Sequence, residues 1–183
     1  MPLSTPVERE LTHHRSINCK SYQRQDGLLD IEGHLLDVKS YDFDNFDRGK
    51  IHAGEPVHEM WLRITIDEDM FIHEAEAFTD ASPYHICPNI TDNFIKLKGI
   101  QIKHGWRQHV KNIVGGTLGC THLVELLPLL GTIAFQTTYL IKSKKSNDTM
   151  QNQKPTLLGS CHVFATDSPI VKREWPEYYN GED

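Results

Sequence analysis

His58-Glu59-Met60-Trp61-Leu62-Arg63-Ile64-Thr65-Ile66-Asp67 leads through Glu68-Asp69 into Met70-Phe71-Ile72-His73-Glu74-Ala75-Glu76-Ala77-Phe78-Thr79. The first run alternates, with Met60, Leu62, Ile64 and Ile66 turned inward. A period of two is the mark of a strand with one buried face. Two such runs about an acidic turn read as a β-hairpin. His58 shares the inward parity of Met60 and Leu62, at the start of its strand.

Upstream, Gly27 to Phe43 reads as another strand, with Leu29, Ile31 and Leu35 on one face and Asp30, Glu32 and His34 on the other. That polar face suits the wet side of an antiparallel sheet. Acid–base work by its paired carboxylates is the functional alternative. Gly33 marks a bulge or a close backbone approach. Residues 44 to 57 are rich in turn formers, among them Asn45, Gly49, Gly54 and Pro56.

After Thr79 the period becomes helical. Pro88 to Lys96 predicts a short helix with Pro88 at its first position. Ile102 to Val114 predicts a second, with Trp106, Val110 and Ile113 on one stripe, ended by Gly115-Gly116. The third and longest starts near Thr117 to Thr121 and runs to about Ile141, with Pro128 expected to kink it. Residues 143 to 155 read as a polar loop and Leu157 to Ala165 as a last strand. The expected fold is α+β, an antiparallel sheet with a central β-hairpin packed against three C-terminal helices. It occupies residues 16 to 170 as one domain, between a flexible arm (1–15) and a tail (171–183).

A chain of 183 residues is long enough to bury a core without staples. The formal net charge of −6, with no clustered basic face, argues against nucleic acid as a partner. The most apolar stretch, Leu123 to Ile141, is interrupted by Glu125, Pro128 and Gln136 and reads as a buried helix, not a membrane span. The first residues lack a basic segment followed by an apolar one, so the expected location is the cytoplasm. The four cysteines, Cys19, Cys87, Cys120 and Cys161, form no Cys-x-x-Cys pair, and a disulfide framework is not expected. The 11 histidines include several expected at the surface, such as His13, His14 and His52.

Chemistry concentrates in two stretches. Gly119-Cys120-Thr121-His122 opens the third helix. A helix start offers free N–H groups and partial positive charge, which favour a thiolate. Cys120 and His122 can converge only if Cys120 sits at or before the cap. Tyr84-His85-Ile86-Cys87-Pro88 follows the hairpin and offers His85 and Cys87. With His58, these define a metal set of His58, Cys87, Cys120 and His122, a nitrogen/sulfur site for Zn2+ or Fe2+. Cys120 and Glu125 are the expected catalytic residues, the latter as a proton carrier or a support for a ligand.

Several of these strings resemble an uncharacterised bacterial domain-of-unknown-function family. They are Tyr22-x-Arg24-x-Asp26-Gly27, Asp30-Ile31-Glu32-Gly33 with Asp37, and Gly54-x-Pro56-x-His58-x-Met60. Pro83-Tyr84-x-x-Cys87, Gly105-Trp106, Gly119-Cys120-Thr121-His122-Leu123-x-Glu125-Leu126 and Ala134-Phe135-Gln136 complete the match. The resemblance runs from about Arg15 to about Ile170 and implies a bacterial, cytoplasmic protein without an established activity. The order of hairpin, cysteine, helices and Cys/His pair is also similar to iron–sulfur scaffold proteins of the NifU type. Here His58 stands where that family has its first cysteine or aspartate, and Cys120 precedes His122.

Three functions follow as expectations. The first is a metal-dependent hydrolase or lyase acting on a small molecule. The second is a non-enzymatic carrier of metal or iron–sulfur cargo. The third is a cofactor-free enzyme with Cys120 as nucleophile. A small-molecule ligand and a homodimer are the associations this reading admits.

Overall fold

The computed structural model describes residues 3–145 and 154–181. The chain divides into two compact units, Met1–Lys142 and Ser143–Asp183. The single unit expected over 16–170 is therefore cut near the end of the long helix. The part of the expected polar loop over 146–153 lies outside the described residues.

The first unit is built on a four-stranded antiparallel sheet of order β1-β2-β5-β6. Its strands are β1 (His13–Gln23), β2 (Leu29–Lys39), β5 (Pro56–Ile66) and β6 (Ile72–Ala81). A small hairpin of β3 (Phe43–Asn45) and β4 (Gly49–Ile51) is inserted between β2 and β5. The hairpin read from the sequence is β5–β6. β1 takes in residues 13–15, which the sequence assigns to a flexible arm.

One face of the sheet is apolar. Leu29, Ile31 and Leu35 from β2 join Met60, Leu62, Ile64 and Ile66 from β5 in the core. Three segments cover them. A 3-10 helix over Cys87–Leu97 buries Phe94 and Leu97. Helix α1 (Trp106–Val114) buries Trp106, Val110 and Val114. Helix α2 (Thr121–Lys145) buries Leu123, Leu126, Leu127, Leu130 and Ala134. By length and composition α2 could cross a membrane, but these five side chains are fully buried within the core.

The opposite face carries Asp30, Glu32 and His34, as the alternation predicts. His34 stacks on Trp61 with ring centroids 3.7 Å apart, and its Nε2 is 3.1 Å from Glu59. Thr65 donates to Asp30 at 2.7 Å. These contacts lie on the sheet face opposite the core.

Gly33 lies where α2 crosses the sheet. A Cβ added there would sit 3.1 Å from Leu130 Cδ2 and 3.5 Å from both Leu126 methyls. The close approach read from the sequence is thus met by α2. Gly33→Leu should cost about 1–3 kcal/mol through overpacking, read by urea unfolding. A cost near zero would mean that α2 is free to lift away from β2.

The second unit corrects one expectation. Leu157 to Ala165 is not a strand: turns lead into a 3-10 helix over His162–Phe164. Gly159 adopts φ 72°, and its N–H donates to Phe164 O at 2.7 Å, folding the segment onto itself. Helix α3 (Pro169–Glu174) follows, capped by Ser168, whose hydroxyl accepts from Val171 N–H at 3.1 Å.

Candidate metal centre

Strand register places Arg15 opposite Asp37 and Asp37 opposite His58. All three fall on the core-facing side, one row beyond Ile17, Leu35 and Met60. A charged row therefore closes one end of the apolar core. The start of α2 meets this row and adds His122.

Asp37 is the hub. Its side chain is 1% exposed. Arg15 grips it twice, from Nε to Oδ1 and from Nη2 to Oδ2, each at 2.7 Å. His13 Nε2 lies 3.2 Å from Oδ1, and His58 Nδ1 lies 3.1 Å from Oδ2. His122 Nε2 is 4.0 Å from the same Oδ2. Two parallel charge-assisted bonds are what a buried carboxylate needs to remain ionised. Burial pushes the Asp37 pKa up, but the Arg15 guanidinium outweighs it, and the result falls from 3.8 to about 2.

The two imidazoles face each other, with centroids 3.8 Å apart and planes inclined by 31°. Burial lowers the His58 pKa first and His122 second, against the pull of Asp37, from 6.5 to about 4. His122 is lowered too, by burial and then by Arg15. Both shifts favour the neutral ring, the state in which imidazole binds metal or accepts a proton.

This has a consequence for the metal-free protein. An unfolded chain protonates His58 near 6.5, while the folded chain leaves it neutral down to about 4. The unfolded state then binds more protons across that window, so stability is lost as pH falls through it. The loss should reach up to about 3 kcal/mol. His58→Gln should flatten the pH dependence of urea unfolding over this range, and an unchanged slope would remove His58 as its source.

Cys120 immediately precedes α2, and its carbonyl accepts the first helical bond from Val124 N–H at 2.9 Å. That is the cap position at which Cys120 and His122 can converge. Cys120 Sγ is 3.8 Å from His122 Nδ1 and 3.7 Å from Met60 Sδ. Cys87 opens the 3-10 helix and shares a cleft of about 560 Å³ with Cys120, His58 and His122. His85 points elsewhere: its side chain is exposed, and its backbone N–H donates to Asp47 at 2.8 Å. Glu125 is half exposed and accepts from Arg15 Nη1 at 2.5 Å. It therefore braces the arginine that holds Asp37.

The ligand atoms of Asp37, His58 and His122 all lie within 4.8 Å of one another, close enough to hold a metal ion. Asp37, Arg15 and His13 are the members of this centre that the sequence reading did not assign to the site. A signal was present in Asp37, an acid two residues past Leu35 on the apolar parity of its strand.

A centre of this kind, on a four-stranded sheet covered by helices, defines an α+β domain with a possible metal-binding site. The chain matches the family described as "Protein of unknown function (DUF2889)" over residues 13–136, and it belongs to that family. The match ends within α2, so the sheet, the 3-10 helix, α1 and every residue of the centre lie inside it. No curated protein matches the chain by sequence, and no solved structure matches it.

Proposed function

We propose that the protein is a metal-dependent enzyme of hydrolase or lyase type acting on a small molecule, with Zn2+ or Fe2+ held by Asp37, His58 and His122. The observation that carries this is the convergence of a buried carboxylate and two imidazoles within 4.8 Å, with both rings on the wall of an open cleft. Ligands at about 2.0–2.2 Å from a tetrahedral ion stand about 3.4 Å apart. The observed 3.1 Å and 4.0 Å from Asp37 Oδ2 to His58 and His122 bracket that value. Cys120 and Cys87 line the same cleft but are outside the set whose ligand atoms lie within 4.8 Å of one another, and either would join it only by a shift of its side chain. A divalent ion there would polarise a carbonyl or acidify water. Arg15 fixes the carboxylate, and Glu125 fixes Arg15.

Chelator-stripped protein titrated with Co2+, followed by visible absorption, tests the reading. One equivalent should bind, and His122→Ala should weaken it by about 100-fold or more. A sulfur-to-cobalt band would add Cys120 or Cys87 to the ligand set. Labile, substoichiometric binding would favour a metal carrier, and no binding would remove the metal.

A second reading has its own observation. Cys120 Sγ, His122 and Asp37 run in line, with His122 Nδ1 3.8 Å from the sulfur and Nε2 4.0 Å from the carboxylate. Nucleophile, base and orienting acid in this order are the parts of a thiol enzyme, and such contacts are often loose without substrate. That reading expects iodoacetamide at neutral pH to label Cys120 well ahead of Cys19, Cys87 and Cys161. Slow and equal labelling of all four would count against it.

A further inference from the structure

The cleft beside His58 and His122 has a composition that selects its occupant. Its volume of about 560 Å³ suits a molecule of one or two rings. Among the described residues, no Lys, Arg, Asp or Glu lines it. An anionic ligand would find no formal counter-charge on its walls, and Arg15 is already engaged by Asp37 and Glu125. Sulfur is concentrated there instead, with Met60, Cys87 and Cys120 all on the lining. Polarisable sulfur makes favourable contacts with aromatic ring edges. Tyr84 adds a ring and Ile90 an aliphatic wall, and the exposed Ile86 continues the apolar surface to the rim.

The polar side chains on the lining include His58, His122, Thr121, Thr117 and Asn89. Thr121 and His122 belong to the first turn of α2, whose backbone N–H groups have no partner inside the helix. These groups favour an oxygen acceptor on the ligand.

We propose that the cleft takes a neutral aromatic molecule carrying one hydroxyl or carbonyl oxygen, with that oxygen directed at His58, His122 and the start of α2. This rests on the reading of the cleft as the active site. The preference for a neutral molecule belongs to the metal-free cleft, because a divalent ion at His58 and His122 would itself be a counter-charge.

The test is calorimetric titration of the full chain with 2-naphthol, chelator-stripped and zinc-loaded, and with 2-naphthoate on the chelator-stripped protein. The naphthol should bind one per chain, and in the chelator-stripped protein the carboxylate should bind at least about tenfold more weakly, because a desolvated charge has no partner in the metal-free cleft. Ile90→Glu, on the wall, and Ile86→Glu, on the exposed rim where folding is not at risk, should each weaken the naphthol, Ile90→Glu by about tenfold or more. Naphthoate binding to the chelator-stripped protein as tightly as naphthol would overturn the proposal. So would naphthol binding that is absent, or unchanged in both variants. Metal uptake without naphthol binding would sink the substrate class and leave the metal centre standing. Naphthol binding without metal uptake would do the reverse.

Discussion

Asp37→Asn will lower the unfolding free energy by about 3 kcal/mol, the low end for breaking a buried ion pair, because Arg15 keeps some exposure. The carboxylate accepts from four N–H or ring-nitrogen contacts: two from Arg15, one from His13 and one from His58. An amide in its place turns a donor toward other donors and leaves the guanidinium without its counter-charge. His58 loses the bond that sets its tautomer. Stability and function can be separated by a second variant. Arg15→Met with Asp37→Leu removes both charges and fills the space with apolar groups, so it should regain most of the lost stability. It should still fail to bind metal. Equilibrium urea unfolding of wild type, single and double variants measures this. A cost below about 1 kcal/mol for Asp37→Asn would mean that the row Arg15–Asp37–His58 does not carry the end of the core.

Gly119→Ala should have a comparable effect from a different cause. Gly119 has φ −161°, an extended conformation open to any residue, so backbone strain is not the issue. The obstacle is space: an added Cβ would lie 1.8 Å from the carbonyl oxygen of Val114 and 2.8 Å from its carbon. The end of α1 is backbone and cannot move aside as a side chain can. The link between α1 and α2 must shift, and Cys120 and His122 shift with it. The expected cost is about 3 kcal/mol, together with a loss of metal affinity. A variant that keeps both would show that this link is loose.

Much of the fold was legible because its strands bury one face and expose the other. Met60, Leu62, Ile64 and Ile66 alternate cleanly, and every one of them is in the core. β1 was not legible. It is an edge strand in which only Ile17 and Cys19 pack against the core, so it carries too few apolar residues for its period to stand out. Leu157 to Ala165 misled for the opposite reason: it has strand-forming residues, but Gly159 turns the chain.

The site was half legible. His58 stood out by its parity, and Cys120 with His122 by their place at a helix start. Asp37 and Arg15 join the centre only through their pairing across strands, which depends on register. Register is fixed by the whole sheet and cannot be read from one segment. Asp37 gave a local hint, as an acid on an apolar face. Arg15 gave none, since its strand was not recognised.

The most direct test of the account is elemental analysis of protein purified without a metal-affinity tag, alongside the double variant His58→Ala/His122→Ala. The account predicts about one zinc or iron per chain in the wild type and none retained by the variant. A wild type that holds no metal even after incubation with Zn2+ or Fe2+, or a variant that keeps the full amount, would contradict it.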